Sequence, residues 1–322
     1  MCILNRVLIA ATLVVLATAS AHAATFTVTN TNDSGPGSLG EAILAANANS
    51  GTDLIAFNIP GSGPHTIQPA QLPTITDPVV IDGYSQPGAS TNSNPPESGT
   101  NAVLLIELDG SLASCCFGIA LNTANSIVQG LVINRFPNKG LIVLGLGGGG
   151  NVIQGNFIGT DVTGTIALGN SSGGVELDTA GNTIGGTTVA ARNLISGNRA
   201  RGIDLISSGN IIQGNLIGTD ATGTVSLGNT TASGGPPAFP GDGAGVDTNS
   251  VGNTMIGGTT LGAGNIISGN SGSGIFLANA SITDNIVEGN FIGTDVSGIT
   301  ALGNDGDGIL LRASTVQNLS AP

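Results

Sequence analysis

Gly202–Gly218 reads GIDLISSGNIIQGNLIG. The phrase parses as a short strand, a turn, a second strand and another turn. In its opening, Ile203 and Leu205 alternate with Asp204, the pattern of a strand with one face in a core. Ile212, Leu216 and Ile217 supply apolar positions in the second half, and Gly214–Asn215 is a pair that tolerates positive φ. Variants recur from Gly118, Gly140, Gly174, Gly245, Gly274 and Gly308, spaced by 22 to 43 residues. Self-similarity at this period marks a stacked-repeat architecture.

One such unit cannot bury its apolar edge alone and must stack on a copy of itself at about 4.8 Å. Equivalent asparagines then lie above one another and can form amide ladders. The repeats carry no helix-period runs, which excludes a helical solenoid. The expected fold is all-β: a right-handed parallel β-helix, the hand following from the strong preference of parallel crossovers.

Composition agrees. The chain has 322 residues, 53 of them Gly, with 40% hydrophobic and 8% charged residues and a formal net charge of −13. Only seven residues are Lys or Arg, which argues against nucleic acid and anionic membranes as partners. Met1–Ala23 reads as a secretory signal: Arg6, an apolar run from Val7 to Ala19, and Ala21-His22-Ala23 as a small-x-small cleavage site. No second long apolar stretch follows, so the mature chain is expected to lack a transmembrane segment and to be secreted or displayed at the cell surface. Cys115 and Cys116 are adjacent; a bond between neighbours is strained, and two packed thiols are expected.

Residues 24–60 are expected to form an N-terminal cap and 61–322 the solenoid. Ser38-Leu39-Gly40-Glu41 fits a capping box, and Leu39, Ala42, Ile43 and Ala46 follow helical spacing. A strand plus a short helix would cover the exposed first coil. At the other end, Gly308–Arg312 opens a further coil before Pro322; the solenoid is expected to be incomplete there, or covered by a partner.

TFTVTNTNDSGPGSLGEAILAAN from Thr25, the strand DLIAFNI, and the motifs LPTITDPVVIDG and LIELDG resemble the N-terminal region of CSLREA-type bacterial secreted β-helix proteins. NTIGGTT, NLISGN and GNLIGTDATGTVSLGN are similar to the repeats of that family. Gly37-Ser38-Leu39-Gly40-Glu41-Ala42 stands where the family motif has C-S-L-R-E-A, without its Cys and Arg. The resemblance implies a pectin-lyase-like fold and no particular activity.

Two features could carry chemistry. GTDVTGTIALGN, GTDATGTVSLGN and GTDVSGITALGN occur in alternate coils from Gly159, Gly218 and Gly293. Asp161, Asp220 and Asp295 each precede a hydroxyl residue by two positions, the grammar of a self-bonded turn; one carboxylate per loop is thin for calcium. The coil register, in turn, places Glu176, Asp204 and Asp247 outward on three consecutive coils, with Asp178 and Asn249 beside them. Such stacked carboxylates repel unless a cation intervenes. The face can be a solvated strand surface, a calcium site formed by Glu176, Asp178, Asp204, Asp247 and Asn249, or an acid/base pair for glycoside cleavage. Arg199 and Arg201 are the nearby basic pair.

Two Pro/Ser-rich insertions, PGASTNSNPPESGTN and TTASGGPPAFPGDGA, interrupt the coils and read as tolerated loops or as binding loops. GLGGGGN from Gly145 lacks the following helix of a dinucleotide fingerprint and reads as a tight turn. No metal-type Cys/His cluster or nucleophile–His–acid grouping occurs, and no catalytic residue is assignable. The favoured function class is a structural or interaction module with a polysaccharide or a surface protein as partner; the alternative is a polysaccharide lyase or hydrolase.

Overall fold

The structure, a computed structural model, describes residues 22–235, 237, 241–249, 251–278 and 284–312. The secretory signal expected at Met1–Ala23 lies outside them except for its last two residues. Among the described residues, every ladder between named strands is parallel, and the strands fall into three sheets of nine, eight and seven. The coil that begins at Gly202 shows the plan. Ile203–Leu205 lies in the third sheet, Ile211–Gln213 in the first and Leu216–Ile217 in the second. The next coil repeats it with Val246–Asn249, Met255–Gly257 and Ile266–Ile267. The fold is thus a parallel β-helix.

Each coil has three strands where two were expected. The second of the two expected strands is split at Gly214–Asn215. Gly214 has φ +71°, and that left-handed residue turns the chain from the first sheet to the second. The split also separates its apolar residues. Ile203, Leu205, Ile212 and Ile217 are fully buried in the inner core. Leu216 instead points outward into a second cluster with Val132, Phe157, Leu194, Ala221, Ile266 and Val296.

The corners are held by asparagine ladders. At one corner the side-chain amide of each residue donates to the next along Asn156, Asn193, Asn215, Asn265 and Asn290. At another the series runs Asn170, Asn198, Asn229, Asn270 and Asn304. Asn151, Asn182 and Asn210 begin a third. Most rungs also donate to a carbonyl of a preceding coil, as Asn198 does to Ile158 at 2.8 Å. Buried amides are stable only when so satisfied.

At the N-terminus, Thr25–Val28 pairs with Asp53–Phe57, and the helix Leu39–Ala48 packs over both strands. Ser38 is its N-cap, accepting from the Glu41 N–H at 3.2 Å. The capping box is one-sided: the Ser38 N–H donates to the Gly35 carbonyl, and Glu41 is exposed. Buried Leu39, Ala42, Ile43 and Ala46 join the inner core. At the other end Ile309–Arg312 pairs with Ile275–Ala278, so the last coil is opened as expected; its continuation over residues 313–322 lies outside the described residues.

The first insertion is not a free loop. It leaves after Val79–Asp82 and runs up the flank of the solenoid. Asn92 donates to the Val189 carbonyl at 2.9 Å and the Thr100 N–H to the Ala221 carbonyl at 2.7 Å. Arg192, 4% exposed, donates to the carbonyls of Pro96, Ser98 and Gly99. The segment therefore straps coils three and four steps above its own.

Cys115 and Cys116 are joined in a disulfide, which corrects the expectation of two packed thiols. Cys115 is exposed and Cys116 half-buried, so the pair does not pack in the core as thiols would. The turn at Gly145–Asn151 is as expected: a Cβ at Gly149 would overlap the Ala180 carbonyl of the next coil.

Candidate functional site

The outward face of the third sheet gathers the charges. Glu176 on Gly173–Leu177 pairs in register with Asp204 on Ile203–Leu205, and Asp204 with Asp247 on Val246–Asn249. Period-2 alternation sends all three to one side because Val175, Ile203 and Val246 fill the core. Asp178 follows Glu176 just past its strand. Asn249 ends its own strand and is exposed. The carboxylate ladder read from the repeat thus forms as expected. Ile142 precedes it and Phe276 follows it in the same row, so it is bounded by apolar rungs.

The row is not a solvated face. Asp204 and Asp247 are 5% and 2% exposed. Their counterions come from side chains the ladder motif does not contain. Lys139, the chain's single lysine, reaches Glu176 Oε2 at 2.8 Å and Asp204 Oδ2 at 3.0 Å. Arg201 reaches the same Asp204 oxygen at 3.3 Å through Nη1 and pairs with Asp247 through Nε. Arg199, its expected companion, is exposed, and its N–H donates to the Asn170 carbonyl at the coil corner.

Lys139 is the site residue that sequence reasoning missed. It lies two coils before Asp204 and opens the strand Lys139–Val143, in register with Gly173. Gly173 has φ +129° and no side chain in the way, which lets the lysine rise past it. Its rarity in this chain was the available signal.

The compensation is uneven. Burial pushes the Asp247 carboxyl up to about 6, and Asp204 adds to this, against the pull of Arg201. Burial, then the charges of Glu176 and Asp204, push Asp178 up as well. One oxygen of each, Oδ1, is buried and accepts no hydrogen bond. The second insertion closes over this end: a Cβ on Gly241 would lie 2.7 Å from Asp247 Oδ2 and 2.6 Å from the Phe276 ring. Among the described residues no group of three or more His, Cys, Asp or Glu is arranged to hold a metal ion.

The Asp loops are self-contained turns, as expected. Asp161 accepts from the Thr163 hydroxyl at 2.7 Å and from the Thr165 and Ile166 N–H groups at 3.0 Å. Asp220 and Asp295 repeat the arrangement with Thr222 and Ser297. For Asp161, burial raises the carboxyl but these donors outweigh it and hold it below its usual range. Alternate coils do not keep the loops apart. The Ala221 N–H donates to the Gly164 carbonyl and the Val296 N–H to the Gly223 carbonyl, both at 2.9 Å. The intervening coils turn tightly here, so the loops stack on one another and roof the outer cluster.

No family model matches the chain, and no curated protein matches it. Among solved structures it is similar to the crystal structure of Dettilon tailspike protein (gp208), with 15% identity and a TM-score of 0.43 over 88% of this chain and 44% of that one. The chain therefore spans less than half the length of that protein.

Proposed function

We propose that this chain is a secreted or cell-surface β-solenoid that works as a structural and interaction module, presenting stacked loops to a polysaccharide or a surface protein. The observation that carries this reading is the closure of the acidic ladder on Lys139 and Arg201. A hydrolytic face needs carboxylates open to a sugar ring and a water; here Asp204 and Asp247 are buried and engaged. The regularity of the loop stack supports a display surface: rigid loops bind at a lower entropic cost than mobile ones. The signal-like Met1–Ala23 and the resemblance to CSLREA-type bacterial secreted proteins support an extracellular setting. Among the described residues no helix is long and apolar enough to cross a membrane.

One observation favours the alternative, a polysaccharide lyase or hydrolase. Asp247 is raised to about 6 beside the other carboxylates of the row, and a raised acid next to an ionised one is a pairing used in glycoside cleavage. A weak calcium site at Glu176, Asp178, Asp204, Asp247 and Asn249 belongs to the same proposal, with calcium competing against Lys139 and Arg201 for the carboxylates. Incubating the purified mature protein with acidic and neutral polysaccharides, with and without calcium, separates the readings. Binding without product release is expected; product release that is lost in Asp247→Asn would establish the enzyme instead.

A further inference from the structure

We propose that the Cys115–Cys116 disulfide is a thiol-exchange site, which a dithiol opens and the reverse exchange with a small-molecule disulfide recloses, while the solenoid stays folded. The first ground is what the bond cannot do. A disulfide stabilises a fold chiefly by closing a loop of the unfolded chain, and more so for longer loops. This one has a sequence separation of one, so it constrains the unfolded chain very little. Its effect is local.

The local effect is visible in the backbone. Cys116 has φ +84°, in the left-handed region that residues with a side chain adopt at an energetic cost. Opening the ring lets Cys116 leave that conformation, so release of backbone strain accompanies reduction. Accessibility is the second ground. Cys115 is exposed and Leu112, just before the loop, is 65% exposed. Strained or exposed disulfides are the reducible ones, and access governs exchange rates.

The loop is also anchored so that it can move alone. On one side the Ala113 N–H donates to the Gly110 carbonyl at 3.0 Å, and on the other the Gly118 N–H donates to the Lys139 carbonyl at 3.1 Å. Gly110 and Gly118 are both seated against Phe136. In the next strand, Ile119–Leu121, Ile119 and Leu121 are fully buried. Residues 114–117 can therefore rearrange between fixed ends.

The chemistry balances with a dithiol as the named reductant. One thiolate of the reductant attacks Sγ of Cys115, the sulfur–sulfur bond breaks, and Cys116 leaves as a thiolate that takes up a proton. The second thiol of the reductant attacks its own sulfur in the mixed disulfide and releases Cys115, which is protonated in turn. The protein gains two electrons and two protons, and the reductant leaves as its disulfide.

The test uses the chain from Ala24 onward, which lacks Cys2. It is treated with dithiothreitol under native conditions, alkylated with a maleimide, and weighed by intact mass spectrometry. Melting and hydrogen exchange are followed on the same samples. Expected are no adduct before reduction, both cysteines alkylated after it, an almost unchanged cooperative melt, and any change in hydrogen exchange confined to residues 114–117, with the Ala113 and Gly118 amides unaffected. The Cys115→Ser/Cys116→Ser variant should show the same exchange pattern without reductant. Adducts before reduction would overturn the proposal, because the pair would then be free thiols. Resistance to dithiothreitol until the protein unfolds, or a melt that collapses on reduction, would overturn it by making the bond a sealed structural staple. Should the double variant not fold, the native reduction of the wild type decides alone.

Discussion

Two kinds of ladder climb this solenoid, one rung per coil, and they obey different rules. The corner series through Asn170, Asn198, Asn229, Asn270 and Asn304 is made of amides. The third-sheet series Glu176, Asp204, Asp247 is made of carboxylates. An amide carries both a donor and an acceptor, so each rung satisfies the next and the series has no natural length. An ionised carboxylate only accepts, so a second one brings repulsion instead of a partner. The acidic series exists only because Lys139 and Arg201 enter from neighbouring strands and turns, and it stops after three rungs at Phe276. A stacked fold can repeat a self-complementary side chain indefinitely, whereas a self-repelling one persists only as far as its imported counterions reach.

The comparison can be broken most severely at a middle amide. Asn198→Ala removes donors to Ile158 and Asn229 and the acceptor used by Asn170. At about 1–3 kcal/mol for each buried group left unsatisfied, the loss should be on the order of 4 kcal/mol, read from denaturant unfolding, and equal at pH 4 and pH 7. A pH-dependent loss would mean that the amide ladder is coupled to the charges after all.

Lys139→Met should cost somewhat less, roughly 3 kcal/mol at pH 7, the usual scale for removing one partner of a buried ion pair. Its deficit should shrink as the pH falls, since a buried carboxylate that has lost a counterion is relieved by protonation. Parallel unfolding curves for Lys139→Met and Asn198→Ala at pH 4 and pH 7 would separate the two ladders directly.

The wild type should carry a pH signature of its own. Asp247 binds its proton more tightly folded, at about 6, than at the ordinary carboxyl value of 3.8. The folded state therefore holds the extra proton between those values, and stability falls as pH rises from about 4 to 6. The contribution, on the order of 3 kcal/mol, is present in full below the unfolded value and lost above the folded one. Below about pH 4 the opposite groups take over. Asp109, where hydrogen bonds from Ser111 and Gln68 and the Arg135 charge outweigh burial, is held low, as is Asp161. Their contribution is lost as pH falls through their depressed values. Thermal melting is expected to peak near pH 4, and Asp247→Asn to flatten the slope above it. A melting temperature that rises steadily from pH 4 to 7 would show that Asp247 is not raised.

Calcium should have the smallest effect. In the wild type it must displace Lys139 or Arg201, so the melting temperature should move little. In Lys139→Met the same addition should restore part of the lost stability, and Asp220→Asn should leave the response unchanged. No restoration would remove calcium from this face altogether.

The inner coil was legible because its cause is local and repeated. Ile203 and Leu205 announce one buried face, and Gly214–Asn215 announces a corner. That this corner splits one strand into two was not legible, since the outward turn of Leu216 depends on the Asp loops that cover it. The row Glu176, Asp204, Asp247 was readable from register alone. Its neutralisation was not, because Lys139 belongs to a coil two steps away and reaches across it. Arg192 and the strap it clamps were hidden for a like reason: nearly a hundred residues lie between the guanidinium and the Pro96 carbonyl, and no periodic pattern joins them. The strain expected between neighbouring cysteines pointed to thiols; the left-handed backbone at Cys116 that goes with the bond was not legible.

The strap bears on how the molecule comes apart. A solenoid whose coils touch only their neighbours unravels like a zip, one coil after another from an open end. Here the segment pinned by Arg192 and Thr100 ties the coil of Val79–Asp82 to coils three and four steps higher. Under tension along the axis, peeling from the C-terminal end should run in small steps as far as Ala221 and then meet a block of coils that fails as one. The force trace of a single pulled molecule would carry a sawtooth of low peaks ending in one tall one, and cutting the strap at Glu97 should divide that last peak into small ones.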